Sequence, residues 1–332
     1  MSAPMLLGPL VRAFFADYLL QQKQVSPQTV AAYRDAVRLL LTYLQRHRQL
    51  APDQVTLDDL DVPVLLAWLD YLETERHNTS RSRNARLAVL RTFFRFVAFR
   101  LPERLDLTTR VLAIPRKRTT RRLVAFLTRE EVDALLATCD RTTWTGRRDH
   151  ALLVTLYNTG ARVSELAAVR RGHIRFGRST VVQLLGKGRK ERAVPLWART
   201  ARGLRAWFDE LGDTTPDFAF PNAQHARLTR HGIAYVLHEA VTRARLHCPS
   251  LIDKRVSPHV IRHTTAMHLL QAGVDLATIA LWLGHEQLET THLYLDADIS
   301  MKERALQHLA PLGQPAKRFK ADESVLAFLG SL

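Results

Sequence analysis

Apolar residues recur at helical spacing along almost the whole chain, and the pattern breaks once, between residues 173 and 196, into short runs of strand-like sequence. A chain written this way is confined to a mainly α architecture with one small sheet, because a period of 3.6 cannot line one face of a strand. Before the break, helices are expected over residues 9–20, 27–45, 63–75 and 81–99. Ser26 ahead of Pro27, Asp61 ahead of Pro63, and Ser80 are the expected N-terminal caps. Val30, Tyr33, Val37, Leu40 and Leu44 form the apolar stripe of the second helix.

Further along, Thr128 and Glu131 make a T-x-x-E capping box that opens a helix reaching about Thr138, and helical spacing returns over residues 149–158 and 162–169. Three strands follow over residues 173–176, 179–185 and 191–196, the last two joined by a hairpin tip at residues 186–190. From Ala198 onward the spacing is helical again. The expected fold class is mainly α: a four-helix domain over residues 1–104 and a mostly helical domain with a small three-stranded antiparallel sheet over residues 126–312. Residues 105–125 read as an extended basic linker, and residues 313–332 as a tail.

Composition narrows the partner. With 46% apolar residues in 332, the chain can bury real cores, which excludes a disordered or staple-dependent protein. Cys139 and Cys248 are the two cysteines, too few for a disulfide framework or a cysteine-based zinc module, so a cytoplasmic chain is expected. Lys and Arg number 48 against 32 Asp and Glu, a formal charge of +16. Within residues 76–122 there are 14 basic residues and two acids, Glu103 and Asp106. A basic helix carrying Arg81, Arg83, Arg86 and Arg91, running into Arg116, Lys117 and Arg118, is the expected phosphate-tracking surface; a solvated helix face is the plainer alternative.

Four local patterns in the second domain carry chemistry only in combination. Arg162 follows the Thr159–Gly160–Ala161 helix end with Glu165 three residues on, which by itself reads as a weak surface ion pair. Lys187 sits in a glycine-flanked hairpin tip, with Lys190 as its competitor. Ser257 and Pro258 start a helix that places His259 and Arg262 in its opening turns, beside N–H groups that favour an anion. His259 and His263 could instead bind a metal, but no cysteine or nearby carboxylate completes a ligand set, so no metal is expected. Finally, Gly284–His285 precedes Tyr294 by nine residues.

Together these residues are what phosphoryl transfer through a tyrosine would require. Two arginines, Arg162 and Arg262, would clamp the charge that develops on the non-bridging oxygens. A phenol is almost fully protonated at neutral pH, so Tyr294 would need a base, for which His259 is the candidate. Lys187 would protonate the departing 5′-oxygen, and His285 would donate a hydrogen bond to the phosphate.

The stretches TGARVSEL (159–166), LLGKGRKERAVPL (184–196), SPHVIRHTTAMHLLQAG (257–273) and LWLGHEQLETTHLYL (281–295) resemble the tyrosine recombinases of the phage integrase family, with a two-domain, Xer-like plan. All six catalytic positions are matched, and the first lysine of G-K-G favours Lys187 over Lys190. The resemblance implies a SAM-like core-binding domain, a separate catalytic domain, a Glu165 that supports the site, and no separate arm-binding module ahead of them. It implies double-stranded DNA with inverted-repeat core sites, gripped by the two domains as a basic clamp. Exchange would run through a 3′-phosphotyrosyl intermediate and a Holliday junction in a homo-tetramer, or a hetero-tetramer with a related recombinase. No cofactor is implied, because the covalent bond conserves the phosphodiester energy. The apolar tail from Ala321 would dock on a neighbouring protomer, packing on its own domain being the alternative. Mobile-element integration or transposition and chromosome or plasmid dimer resolution both fit, with a non-catalytic DNA-binding protein and a relaxing topoisomerase as readings from other classes.

Overall fold

The structure is a computed structural model that describes residues 5–119, 125–186, 190–212 and 217–285. Lys187, Tyr294 and the tail from residue 313 lie outside the described residues. The chain divides into two compact units, Met1–Arg121 and Arg122–Leu332.

Among the described residues, the regular elements of the first unit are helices, with one isolated antiparallel bridge between Leu6 and Thr56. α1 (Leu7–Ala13) passes directly into a π-helical stretch, Phe14–Gln22, and α2 (Pro27–Arg48), α3 (Val62–Thr74) and α4 (Ser80–Arg100) follow. Ser26 and Asp61 accept the capping N–H bonds of Thr29 and Val64, as their spacing predicts. At α4 the cap is one residue earlier than expected: Thr79 accepts from the Ser82 N–H, which draws Ser80 into the helix. Apolar faces of these helices meet on fully buried Trp68, Phe14 and Phe94, with Phe14 edge-on to Phe93 at 5.3 Å between ring centres.

The extended reading of residues 105–125 is corrected at its start. α5 (Leu105–Leu112) is a helix whose Leu107 and Val111 are buried one turn apart, and Ile114 joins the same core. Its short apolar period was obscured by the surrounding cations. Beyond it, Arg91 donates to the Ile114 carbonyl at 2.6 Å, and the Asn84 amide exchanges bonds with the Lys117 backbone at 2.8 and 3.0 Å. Residues 114–117 are thereby strapped along α4.

In the second unit, α6 (Arg129–Ala137) is opened by the Thr128–Glu131 capping box, with both reciprocal bonds present. α7 (Trp144–Thr159) starts five residues earlier than its apolar spacing suggests, because Thr143 caps it on the Gly146 N–H. The helix expected over residues 162–169 is a single turn, α8 (Val163–Leu166), with Arg162 at its N-cap. Strands β1 (Ile174–Arg175), β2 (Val181–Leu185) and β3 (Glu191–Pro195) form one antiparallel sheet in that order. Val182 pairs with Val194 and Leu184 with Arg192. α9 (Ala198–Leu211), α10 (Arg230–Ala244), α11 (Pro258–Gln271) and α12 (Leu276–Leu283) follow among the described residues. Its core runs from Leu152 and Leu156 through Val182 and Val194 to Leu251 and Ile261. No helix among the described residues is long and apolar enough to cross a membrane.

Candidate active site

Three helix ends build the site. α7 stops at Gly160, which takes a left-handed conformation at φ 57° and lets the chain turn at once into Arg162. α11 starts at Ser257 and Pro258, with the Ser257 hydroxyl accepting from the Val260 N–H, so His259 and Arg262 stand in its opening turns. α12 stops at Gly284, again left-handed at φ 67°, and His285 is the next residue. Arg162, His259 and Arg262 line one open cavity of about 340 Å³, together with Arg230 and His231 from the start of α10.

Both arginines are held by carbonyls at these helix ends. Arg262 is buried and donates to the Gly160 carbonyl at 2.7 Å and the Leu283 carbonyl at 2.6 Å. Arg162 donates to the Gly284 carbonyl at 3.2 Å and to Glu165 Oε1 at 2.8 Å, and its backbone N–H donates to Glu165 Oε2 at 2.8 Å. The last carbonyls of a helix have no partner within it and carry partial negative charge, so guanidinium groups are favoured there. The weak surface pair expected of Arg162 and Glu165 is corrected: the Glu165 side chain is only 3% exposed, and Arg192 holds both its oxygens as well, at 3.0 and 2.7 Å. Burial alone would raise the Glu165 pKa, but the bonds and charges of Arg192 and Arg162 outweigh it and hold the carboxyl below its ordinary value.

Burial and neighbouring positive charge act together on the imidazoles. Burial, then the charges of Arg262 and Arg162, push the His285 pKa down to about 4, with smaller contributions from His263 and Arg192. At neutral pH His285 is therefore uncharged, with one N–H to donate and one nitrogen to accept. His263, one turn beyond exposed His259, is also pushed down, by burial first and then by His259 and Arg262. Among the described residues no group of three His, Cys, Asp or Glu side chains could hold a metal ion.

Gly160 is a sharp test of this packing. A Cβ there would lie 2.6 Å from Leu283 Cδ2 in a backbone conformation that disfavours side chains. Gly160→Ala is expected to cost about 2–4 kcal/mol of stability, read from a urea unfolding midpoint. An unchanged midpoint would contradict the contact.

The structure brings Arg162, His259, Arg262 and His285 to one end of the second unit. On the first unit, Arg81, Arg116, Lys117 and Arg118 are exposed, and Lys117 is ion-paired with Glu73 at 2.6 Å. Arg86 and Arg91 are half-buried and bonded to the Ala32 and Ile114 carbonyls. Arg83 is a correction: it is 3% exposed, beside Glu73 and donating to the Pro115 carbonyl, so it offers no surface to a phosphate. Three residues at the site escaped the sequence reading: Arg192, Arg230 and His231. A cation on the inward register of β3 marks Arg192, and the Thr229 cap ahead of Arg230 marks a helix start.

Comparison with known proteins places this architecture. The profile described as Phage integrase family matches residues 125–301, and that of the Phage integrase, N-terminal SAM-like domain matches residues 13–100. A Sinorhizobium fredii protein provisionally named integrase/recombinase y4rC is 47% identical over 98% of both chains. Tyrosine recombinase XerC of Oceanobacillus iheyensis is 34% identical over 84% of this chain and 89% of its own. Two solved structures share the fold. XerH recombinase bound to palindromic difH substrate has a TM-score of 0.70 at 20% identity, covering 86% of this chain and 81% of its own. The Tn1549 transposon integrase with circular intermediate DNA has a TM-score of 0.69 at 17% identity, covering 92% and 100%.

Proposed function

The chain belongs to the phage integrase family and is a tyrosine site-specific recombinase, and from that premise we propose that Arg162, Lys187, His259, Arg262, His285 and Tyr294 cleave and rejoin duplex DNA at inverted-repeat core sites. The observation that carries the reading is the cavity lined by Arg162, Arg262 and His259, its two guanidinium groups held by backbone carbonyls beside it. Tyr294 Oη attacks the scissile phosphorus as His259 takes the phenolic proton. A phosphorus–Tyr294 bond forms, the bond to the 5′-oxygen breaks, and Lys187 delivers a proton to that oxygen. Arg162 and Arg262 hold the charge that grows on the non-bridging oxygens, and neutral His285 donates to one of them.

The 5′-hydroxyl of a partner strand then attacks the phosphotyrosine phosphorus and gives its proton to Lys187, the bond to Tyr294 Oη breaks, and His259 returns a proton to the phenol, which restores a phosphodiester. Bond energy is conserved throughout, so no nucleotide or metal cofactor is called for. Strand exchange through a Holliday junction in a tetramer follows the precedent of lambda integrase, solved as a tetramer bound to such a junction. Exposed Arg81, Arg116, Lys117 and Arg118 are proposed to contact phosphates of the same duplex, adding salt-dependent affinity with little sequence choice. Mobile-element integration is the favoured biological role, supported by the 47% identity to an integrase/recombinase. The XerC likeness supports dimer resolution as the second reading.

A nicked duplex built from inverted repeats in the DNA flanking the gene tests the chemistry. Wild-type protein is expected to give a denaturation-resistant adduct carrying the 3′-phosphate, and Tyr294→Phe none. Binding without any adduct in the wild type would sink the proposal. A two-site assay, integration against resolution of a directly repeated pair, separates the two biological roles.

A further inference from the structure

Three arginines from three different elements converge on the end of α12. Arg192 donates from Nε to the Trp282 carbonyl at 2.9 Å, Arg262 to the Leu283 carbonyl at 2.6 Å, and Arg162 to the Gly284 carbonyl at 3.2 Å. Three consecutive carbonyls are thus each taken by a different guanidinium group, directly ahead of His285. Arg192 has no place in the chemistry above, yet it links α12 to Glu165. Its two terminal nitrogens grip both oxygens of Glu165, and the same oxygens receive the Arg162 side chain and backbone N–H.

The alternation of β3 puts Arg192 on the same side as fully buried Val194, where an apolar residue would ordinarily sit. A charge at that register is tolerable only against a fixed counter-charge, which Glu165 supplies. The surrounding backbone is fitted to the pair. A Cβ on Gly186, at the root of the hairpin, would lie 3.3 Å from Glu165 Oε1, and one on Gly284 would lie 3.0 Å from an Arg192 terminal nitrogen.

We infer that Arg192 is a positioning residue for strand cleavage: it joins Glu165 to the end of α12 and so fixes Arg162 and His285 relative to one another at the phosphate. The inference rests on the proposed phosphate-binding role of those two residues. It also predicts an electrostatic consequence. The charges facing His285 come from Arg162 ahead of α8, Arg192 on β3, and Arg262 and His263 on α11, and each holds its pKa down. Removing the Arg192 charge lets His285 titrate nearer its ordinary value.

The test is DNA affinity and single-turnover cleavage of the nicked duplex at saturating DNA, for wild type, Arg192→Gln and Arg192→Lys. Both variants are expected to cleave about a hundredfold more slowly per folded molecule, with DNA affinity retained. Arg192→Lys keeps the charge but cannot span Glu165 and Trp282, so it is expected to be as slow as Arg192→Gln, with the loss falling on the single-turnover rate and not on DNA affinity. Should Arg192→Gln fail to fold, the rate of Arg192→Lys decides. Wild-type rates in the folded variants, or a loss that falls on DNA affinity alone, would overturn the inference. Arg262→Gln is run beside them. If it too cleaves at the wild-type rate, the reading of the site itself fails; if it is silent while the Arg192 variants cleave normally, only the role of Arg192 falls.

Discussion

Arg262→Gln is expected to slow covalent adduct formation by about a thousandfold at saturating DNA, the scale on which removal of a preorganised charge donor lowers a phosphoryl or acyl transfer rate. The reason lies in how the side chain is held. Carbonyls of Gly160 and Leu283 fix the guanidinium plane at the cavity wall before any substrate arrives, so no reorganisation is needed as charge develops. Glutamine can reach neither the charge nor both carbonyls. Arg262→Lys restores the charge but not the two-carbonyl bridge, and is expected to remain severely slowed. Because Arg262 is buried, both variants should be compared per folded molecule, with near-ultraviolet circular dichroism as the check. A rate within tenfold of wild type in Arg262→Gln would remove Arg262 from the site.

The second large effect is on stability. Glu165→Leu leaves Arg192, only 11% exposed, without its carboxylate, and loss of one partner of a buried pair costs about 3–5 kcal/mol. The pH dependence has a definite sign. Glu165 titrates below its ordinary value of 4.5 in the folded protein, so its contribution is complete above that value and is lost as pH falls through the lower folded pKa. The urea midpoint of the wild type should therefore fall through that acid window by an amount that Glu165→Leu lacks. Parallel acid slopes in the two proteins would show that the Glu165 carboxylate is not held by its arginines.

Much of the scaffold was legible because its signals are local. The capping box at Thr128, the Ser257–Pro258 start of α11, the glycine end of α7 and the three short strands each depend on residues within a few positions of one another. α5 was missed because only two apolar residues, Leu107 and Val111, mark its buried face amid a strongly basic run. Arg83 was misread for the related reason that composition reports charge and not direction: on α4 it points inward to Glu73 and Pro115. The cap of α4 stands one residue earlier than expected because Thr79 and Ser80 are both competent caps, and it is Thr79 whose hydroxyl accepts from the Ser82 N–H.

By itself, then, the sequence determined the helical class, the place of the sheet, and the helix starts and stops that carry Arg162, His259 and Arg262. Only the tertiary structure decided what holds those side chains. Arg162 meets the Gly284 carbonyl across 122 positions of chain, and Arg192 meets Glu165 across 27. Caps and periods act within one or two turns, where the chain's own geometry sets the partner. A guanidinium group finds its carbonyl or carboxylate only after the helices pack, when burial makes an unpaired charge too costly to leave.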